Sequence, residues 1–467
     1  MAAARHEDVV EHDETDTQSH SDDNDDPYDL LQFGPETLCT WATSARNELI
    51  RSDETNRQNT APIECIKALV PISGSYNTVF PLQFSDGVCW ALKVPQAAAQ
   101  DGFDASAARS LTSEARTMLV LEKQTTIPVP KVHSVQPGPD NNLGSPYILT
   151  DFINGTPLPK VWFDHSAPED VLESRRMQSL QDLAQAMIQL GQFTFSRSGC
   201  PEFDSQGIIS GVGPLRTLDI AASLIVQRAE GGTDIMCDLG PFKDATSYIL
   251  SLFNRRNPPP DPFSTGIYKL LQLFVEWLSE LKDYEDGGFV LSHPDLDMQN
   301  ILVTENGRIC GIIDWEGVAV VPKCLGNLCY PSFLTRDWDP MIYNYDPSGT
   351  AEDNELENSP EELQRFRAAY CDMIGKLLGS RENESPKWTR RSLVIENLKI
   401  AADNPASTHG IIEKVFEEIK RNSPRALVID GEDLHLYDIA CDVAAGSINE
   451  GTLEVIKDGF LHLCNSV

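Results

Sequence analysis

The chain has 467 residues, 41% of them hydrophobic and 23% charged, and a formal net charge of −34. Such a composition describes a globular protein large enough for two lobes around substantial cores. It excludes nucleic acid as the main partner, because a phosphate backbone demands a basic surface. The acidity is compatible with a cationic small molecule, although conferring solubility is the plainer account of a bulk charge.

Residues 1 to about 30 are rich in Asp, Glu, Ser and Thr, with little to bury, and are expected to be disordered. The start, MAAARHEDVVEHDETDTQSH, has no apolar secretory segment and is too acidic for a transit peptide. No run approaches the roughly 20 apolar residues of a spanning helix. These features predict a cytoplasmic protein with no membrane contact. The eleven cysteines are scattered without a C-x-x-C pair, which predicts reduced thiols.

A helix is predicted from Gly34 to about Arg51, then a polar linker over 52–61. CIKALVPIS (65–73), TVFPLQF (78–84) and VCWALKVP (88–95) are β-rich runs. A Gly-containing turn at 74–77 separates the first two, and Ser85-Asp86-Gly87 gives a strong hairpin signal between the others. LTSEARTMLVLEKQ (111–124) has helical spacing, with Leu111, Ala115, Met118, Leu119 and Leu121 toward the core. Segments 127–133 and 146–153 read as two more strands. From about 155 onward the pattern is mainly helical, clearest at 179–195, 266–284 and 360–378, with further helical runs in IIEKVFEEIKRN and EVIKDGFLHLC. The exception is FVLSHPDLDMQNILV (289–303) and its sequel to residue 318, where Glu305-Asn306-Gly307 separates two β-rich runs. The acidic stretch 352–357 reads as an exposed loop or a helix start.

Four polar positions stand where this pattern lets them converge. Asp295 and Asn300 lie in a loop between apolar runs, Asp314 ends the strand GIIDW, and Lys93 ends WALKVP. Singly each is weak, since a loop Asp is usually a cap and a strand-end Lys a solvated edge charge. Together they suit phosphoryl transfer, where catalysis rests on positioning and on neutralising phosphate charge. Mg²⁺ takes oxygen ligands such as Asn300 and Asp314. A separate carboxylate, Asp295, is then free to orient an acceptor hydroxyl, and Lys93 to reach phosphates.

The set H293-x-D295-x-x-x-x-N300, followed by I-I-D314-W-E, resembles the motifs of the aminoglycoside phosphotransferase family, related in architecture to choline kinases and protein kinases. The likeness runs over roughly residues 62–330 and takes in SGSYN (73–77), Lys93, Glu114 and YILTDFINGTPL (147–158). The wording of SDGVCWALKVP and IIDWEGVAVVP is most similar to the group of such proteins found in filamentous fungi. The resemblance implies an α+β, bilobal, protein kinase-like fold. Its parts would be an acidic tail (1–33), a small five-stranded antiparallel nucleotide-binding lobe (34–153) and a larger, mainly helical catalytic and substrate lobe (154–467). It further implies ATP and Mg²⁺ as cofactors and a small-molecule hydroxyl as acceptor. Asp295 would be catalytic, and Asn300 and Asp314 would hold the metal. Lys93 would contact the α- and β-phosphates, paired with Glu114. Backbone groups at Gly74, Ser75 and Asn77 would cover the phosphates, and those near Thr150 and Phe152 would face adenine.

Three departures from the family's pattern stand out. Pro294 replaces a common Gly and stiffens the loop. Asp297 stands where a second His is frequent, as a carboxylate for a cationic acceptor or simply for solvent. The phosphate loop lacks repeated glycines. His293 reads as a brace for the loop. Glu114 on a charged helix is as well explained by an exposed salt-bridged face, and Trp315 and Glu316 read as packing and capping residues. The readings from other classes are a kinase-like scaffold without turnover, which the intact Lys, Asp, Asn, Asp set opposes, and a protein kinase. The missing GxGxxG, Asp-Phe-Gly and Ala-Pro-Glu segments oppose the latter.

Overall fold

A computed structural model describes residues 27–31, 34–52, 62–100, 103–224, 234–257, 259–284, 287–350, 353–379, 386–422, 427–429 and 432–466. Residues 53–61 of the expected linker and most of the acidic tail lie outside these residues, whereas Ser52 ends the first helix. Within the expected tail, Pro27–Leu31 forms a short 3-10 turn, and Leu31 is buried against the first lobe.

That first lobe comprises α1 (Pro35–Ser52), β1 (Cys65–Ala68), β2 (Ile72–Ser73), β3 (Asn77–Phe84), β4 (Cys89–Pro95), α2 (Ala105–Gln124), β5 (Val132–Gln136) and β6 (Tyr147–Asp151). Its strands form one antiparallel sheet in the order β1-β3-β4-β6-β5, with the two-residue β2 also on β3. The run 65–73, expected as one strand, is split. Pro71 brings no N–H to a ladder, and β1 already bulges between Cys65 and Lys67. The strand expected at 127–133 begins only at Val132, after Pro128 and Pro130. Alternation sorts β4 by face. Trp90, Leu92 and Val94 enter a core with Phe80, Leu82 and Leu38, which turns Lys93 to the opposite face, toward α2. On α2, Asp104 caps the N-terminus by accepting from the Ala107 N–H. The buried face includes Leu111, Glu114, Ala115, Met118 and Leu121, whereas Leu119, expected inside, is half-buried.

The second lobe begins with β7 (Thr156–Pro157), α3 (Leu158–Trp162), α4 (Glu169–Met187) and β8 (Thr194–Phe195). The run 179–195 is therefore not one helix: α4 gives way to a 3-10 turn and a strand. Next come β9 (Cys200–Phe203), β10 (Ile209–Gly213), β11 (Leu215–Leu218) and β12 (Met236–Leu239). These pair as two small hairpins in a stretch that the sequence reading left as helical territory. Strands this short, broken by Gly211 and Gly213, give too few alternating positions to register. They brace α2: Ser113 Oγ donates to Pro201 O at 3.0 Å, and Arg109 pairs with Asp238 at 2.6 Å.

The chain continues through α5 (Ala245–Phe253), α6 (Pro262–Trp277), β13 (Phe289–Ser292), β14 (Ile301–Val303), β15 (Ile309–Ile312) and β16 (Ala319–Pro322). It finishes with α7 (Pro360–Leu378), α8 (Lys387–Asp403), α9 (Thr408–Asn422), α10 (Leu436–Ala445) and α11 (Glu450–Ser466). β14 and β15 make the expected hairpin. α6 starts at a capped proline, Asp261 accepting from the Ser264 N–H, and ends at Trp277, short of the expected residue 284. One large apolar cluster joins α2, Ile148 and the second lobe, so the lobes share a core beneath the cleft. All eleven cysteines are free thiols. No described helix is long and apolar enough to cross a membrane.

Candidate active site

The β4 lysine and the loop after β15 meet across the cleft. Lys93 Nζ lies 2.9 Å from Glu114 Oε1, 2.9 Å from Asp314 Oδ1 and 3.5 Å from Glu316 Oε2. Glu114 is 2% exposed, so the exposed-face reading of that residue is replaced by a buried partner for Lys93. Burial pushes the Glu114 carboxyl up to about 7, helped by Glu316 and Asp314 and opposed by Lys93. Burial pulls the Lys93 ammonium down, but the three carboxylates outweigh it and hold the group charged.

Asp314 has φ of 60°, an unusual backbone state for a residue with a side chain. That turn takes it out of the β15 line and aims it at Lys93. On the facing loop, Asn300 Nδ2 donates to Asp295 O and to Asp295 Oδ2, each at 3.0 Å, and Gln299 Nε2 donates to the same carboxylate oxygen at 3.3 Å. Burial and the neighbouring Asp297 raise the Asp295 pKa. The Ile313 N–H donates to Asn300 O at 2.9 Å, tying the Asn300 turn to the segment that carries Asp314.

His293 uses both ring nitrogens. Nδ1 accepts from the Asp295 N–H at 3.2 Å and Nε2 donates to Ile313 O at 3.0 Å, an assignment that follows from the partners. Its ring stands edge-on to the fully buried Trp315 at 4.6 Å. Burial lowers its pKa to about 4, so it is a neutral strut between the two loops. Asp297, the open position of the sequence reading, caps the turn Met298–Asn300 by accepting from the Met298 N–H at 2.7 Å.

The phosphate-loop candidates lie at the β2–β3 turn. The Gly74 N–H donates to Asn77 O at 2.8 Å, so that amide closes the turn. Ser75 is exposed at the turn's tip. Asn77 Nδ2 donates to Glu316 Oε2, linking the turn to the Lys93 cluster. Glu316 is thus a site residue that the sequence reading assigned to capping. Two positions after Asp314 its proximity was legible, but its long-range partners were not. Thr150 and Phe152 do not offer free amides. Thr150 lies mid-strand between Ala91 and Val132, and the Phe152 N–H donates to Cys89 O at 3.0 Å.

Asp314 and Glu316 add their carboxylates to the Lys93–Glu114 pair, a local excess of negative charge that a cation would offset. Asn300 Oδ1 accepts no hydrogen bond among the described residues, and the Asp314 side chain is 49% exposed. One carboxylate and one amide oxygen form a hard donor set, as Mg²⁺ takes when waters and phosphates complete its shell. The residues fit the ion.

The fold defines a two-lobed α+β protein, with a small lobe built on one antiparallel sheet and a larger, mainly helical lobe. No family model matches the chain. Among curated proteins it is similar to a subtelomeric hrmA-associated cluster protein of Aspergillus fumigatus, 23% identical over 313 residues, covering 56% of this chain and 60% of that one. It is also similar to altered inheritance of mitochondria protein 9, mitochondrial, of Candida glabrata, 25% identical over 343 residues, covering 60% and 52%. The chain thus matches little more than half the length of these relatives. Among solved structures it is similar to a Ralstonia eutropha protein (13% identical, TM-score 0.44, 91% of this chain and 98% of that one). Another is the aminoglycoside phosphotransferase APH(4)-Ia in complex with AMP-PNP and hygromycin B (16%, 0.40, 81% and 92%). A third is a macrolide 2′-phosphotransferase type I (12%, 0.39, 81% and 96%). Superpositions this loose carry no argument about chemistry.

Proposed function

We propose that the protein is a Mg²⁺- and ATP-dependent phosphotransferase acting on a hydroxyl of a small molecule. The observation that carries this reading is the Lys93 ammonium held among Glu114, Asp314 and Glu316, opposite the Asn300-anchored carboxylate of Asp295.

In this reading Lys93, kept charged and positioned by Glu114, binds nucleotide phosphate oxygens. Asn300 and Asp314 would hold Mg²⁺, which when bound offsets charge on the β- and γ-phosphates. Asp295 orients the acceptor hydroxyl and receives its proton as the new P–O bond forms. The bond from the γ-phosphorus to the bridging oxygen breaks, and ADP and a phosphate ester leave. Hydrogen bonds from Asn300 and Gln299 fix the Asp295 carboxylate, and the His293 strut keeps its loop at a set distance from Asp314. Asp297, committed to its cap, has a structural role.

The test is ADP release against a panel of alcohols, sugars and amino alcohols, beside thermal stability with and without Mg²⁺-ATP. Stabilisation by nucleotide together with transfer that Asp295→Asn lowers by about 10³-fold or more is the expected result. Stabilisation with no transfer to any acceptor would return the protein to the scaffold class.

A further inference from the structure

Beside the Asp295 loop lies a cavity of about 230 Å³. Pro294 and Gly317 form its near wall, and Glu396, Lys399 and Asp403 of α8 form the far wall with Arg216 of β11. It is smaller than the about 300–1,000 Å³ of drug-sized pockets. The charges on these walls are not equally available. Arg216 is paired with Asp104 at 3.0 Å, and Asp403 with Arg255 at 3.0 Å. Lys399 makes no ion pair or hydrogen bond among the described residues. Glu396, three positions before it on the same helix face, is not in ion-pair contact with it and meets the Cys329 thiol instead.

The Lys399 ammonium lines the cavity with no ion pair or hydrogen bond among the described residues, so its N–H donors are open to a ligand. We propose that this cavity is the acceptor site of the phosphotransferase described above, and that it takes a small alcohol bearing a carboxylate or phosphate group seated on Lys399, with its hydroxyl toward Asp295. The proposal rests on the phosphotransferase reading and specifies its substrate class. It reverses the expectation from bulk charge, because the −34 of the whole chain is not the charge of this wall.

The side-chain electrostatics agree. Burial pushes the Glu396 carboxyl up to about 7, so near neutrality much of it is uncharged and serves as a hydrogen-bonding group. Burial pulls the Lys399 pKa down, but Tyr248, Asp403, Glu396 and Asp295 together raise it, so the ammonium persists. Pro294, the residue before Asp295, lines the cavity, which places it beside the loop that carries that carboxylate. With Arg216 and Asp403 each in an ion pair, Lys399 is the lining cation that has no ion-pair partner among the described residues.

Matched short-chain alcohols test this in the full-length protein with Mg²⁺-ATP: 4-hydroxybutyrate, 3-hydroxypropyl phosphate, 3-amino-1-propanol and 1-butanol. The expected result is kcat/KM for at least one anionic alcohol about tenfold or more above that for the amine and for butanol. The better of the two anions identifies carboxylate or phosphate as the group recognised. Lys399→Met should remove that advantage, a loss of about ten- to a hundredfold. Lys399→Arg should keep part of it, and both variants should retain stabilisation by Mg²⁺-ATP. Preference for the amine, indifference to charge, or a preference intact in Lys399→Met overturns the proposal. So does transfer to none of the four while Mg²⁺-ATP still stabilises the protein. Failure of Mg²⁺-ATP to stabilise the wild type overturns instead the reading on which the proposal rests.

Discussion

Replacing Lys93 by methionine keeps the bulk of the side chain and removes the one cation in contact with Glu114 among the described residues. Glu114 is 2% exposed, and its Oε2 already has no hydrogen-bond partner among the described residues. The substitution therefore leaves a buried carboxylate uncompensated, with Asp314 and Glu316 adding repulsion. Breaking a buried pair from one side costs about 3–5 kcal/mol, and that is the loss expected at pH 8. The cost should fall in acid. A carboxyl whose folded pKa is raised, as Glu114 already is at about 7, binds its proton more tightly when folded. Its contribution to stability is present below the unfolded value and is lost as pH rises through the folded one. With Lys93 gone the rise is larger, so at pH 5 Glu114 is protonated and roughly 2 kcal/mol or more of the deficit should return. Urea unfolding followed by circular dichroism at both pH values measures this, and the double variant Lys93→Met, Glu114→Gln should recover at least half of the pH 8 loss. A loss below about 1 kcal/mol that is the same at both pH values would refute the buried-pair argument. It would return Lys93 to the class of solvated edge charges.

Further outcomes follow from other contacts. Glu316→Ala frees the β2–β3 turn from the Lys93 cluster by removing the Asn77 contact, and should weaken Mg²⁺-ATP binding several-fold while changing stability by less than about 1 kcal/mol, since Glu316 is 40% exposed; a nucleotide titration by calorimetry reads it. Glu396→Gln should flatten the pH dependence of stability between about pH 4.5 and 7, because the raised carboxyl stabilises the fold in acid and loses that contribution as pH rises through about 7; melting curves across that range check it. Gly266→Ala places a methyl group 1.8 Å from Ala440 O, where α6 passes α10, and should destabilise by about 1–3 kcal/mol or more with nucleotide affinity unchanged.

Much of the first lobe was open to inspection because its signals are local. Alternation over 78–84 and 88–95 around Asp86-Gly87 sets a hairpin, and that alternation also sends Lys93 to the face opposite Trp90 and Leu92. Pro71, Pro128 and Pro130 shortened strands that composition alone had extended. The β9–β12 hairpins escaped because each strand is only four or five residues long, and β10 also carries two glycines, so no period develops. Glu316, Glu396 and Lys399 escaped for another reason: what distinguishes them is a partner, or the want of one, far along the chain.

The order of residues by itself determined which chemical groups were at hand: an ammonium at a strand end, an Asp and an Asn five apart in a loop bounded by apolar runs, and an Asp after a β-rich run. These are properties of types, spacings and two-residue or helical periods, and short-range sterics decide them. Tertiary structure alone decided that Lys93 faces three carboxylates, that Asp297 is a cap, that His293 is a neutral strut, and that Lys399 lines a cavity with no ion-pair partner among the described residues. Each depends on distances of a few ångströms between segments as much as 239 residues apart, as Asn77 and Glu316 are. Coulomb and hydrogen-bond energies fall off within that range, so no pattern along the chain encodes them until the chain has folded.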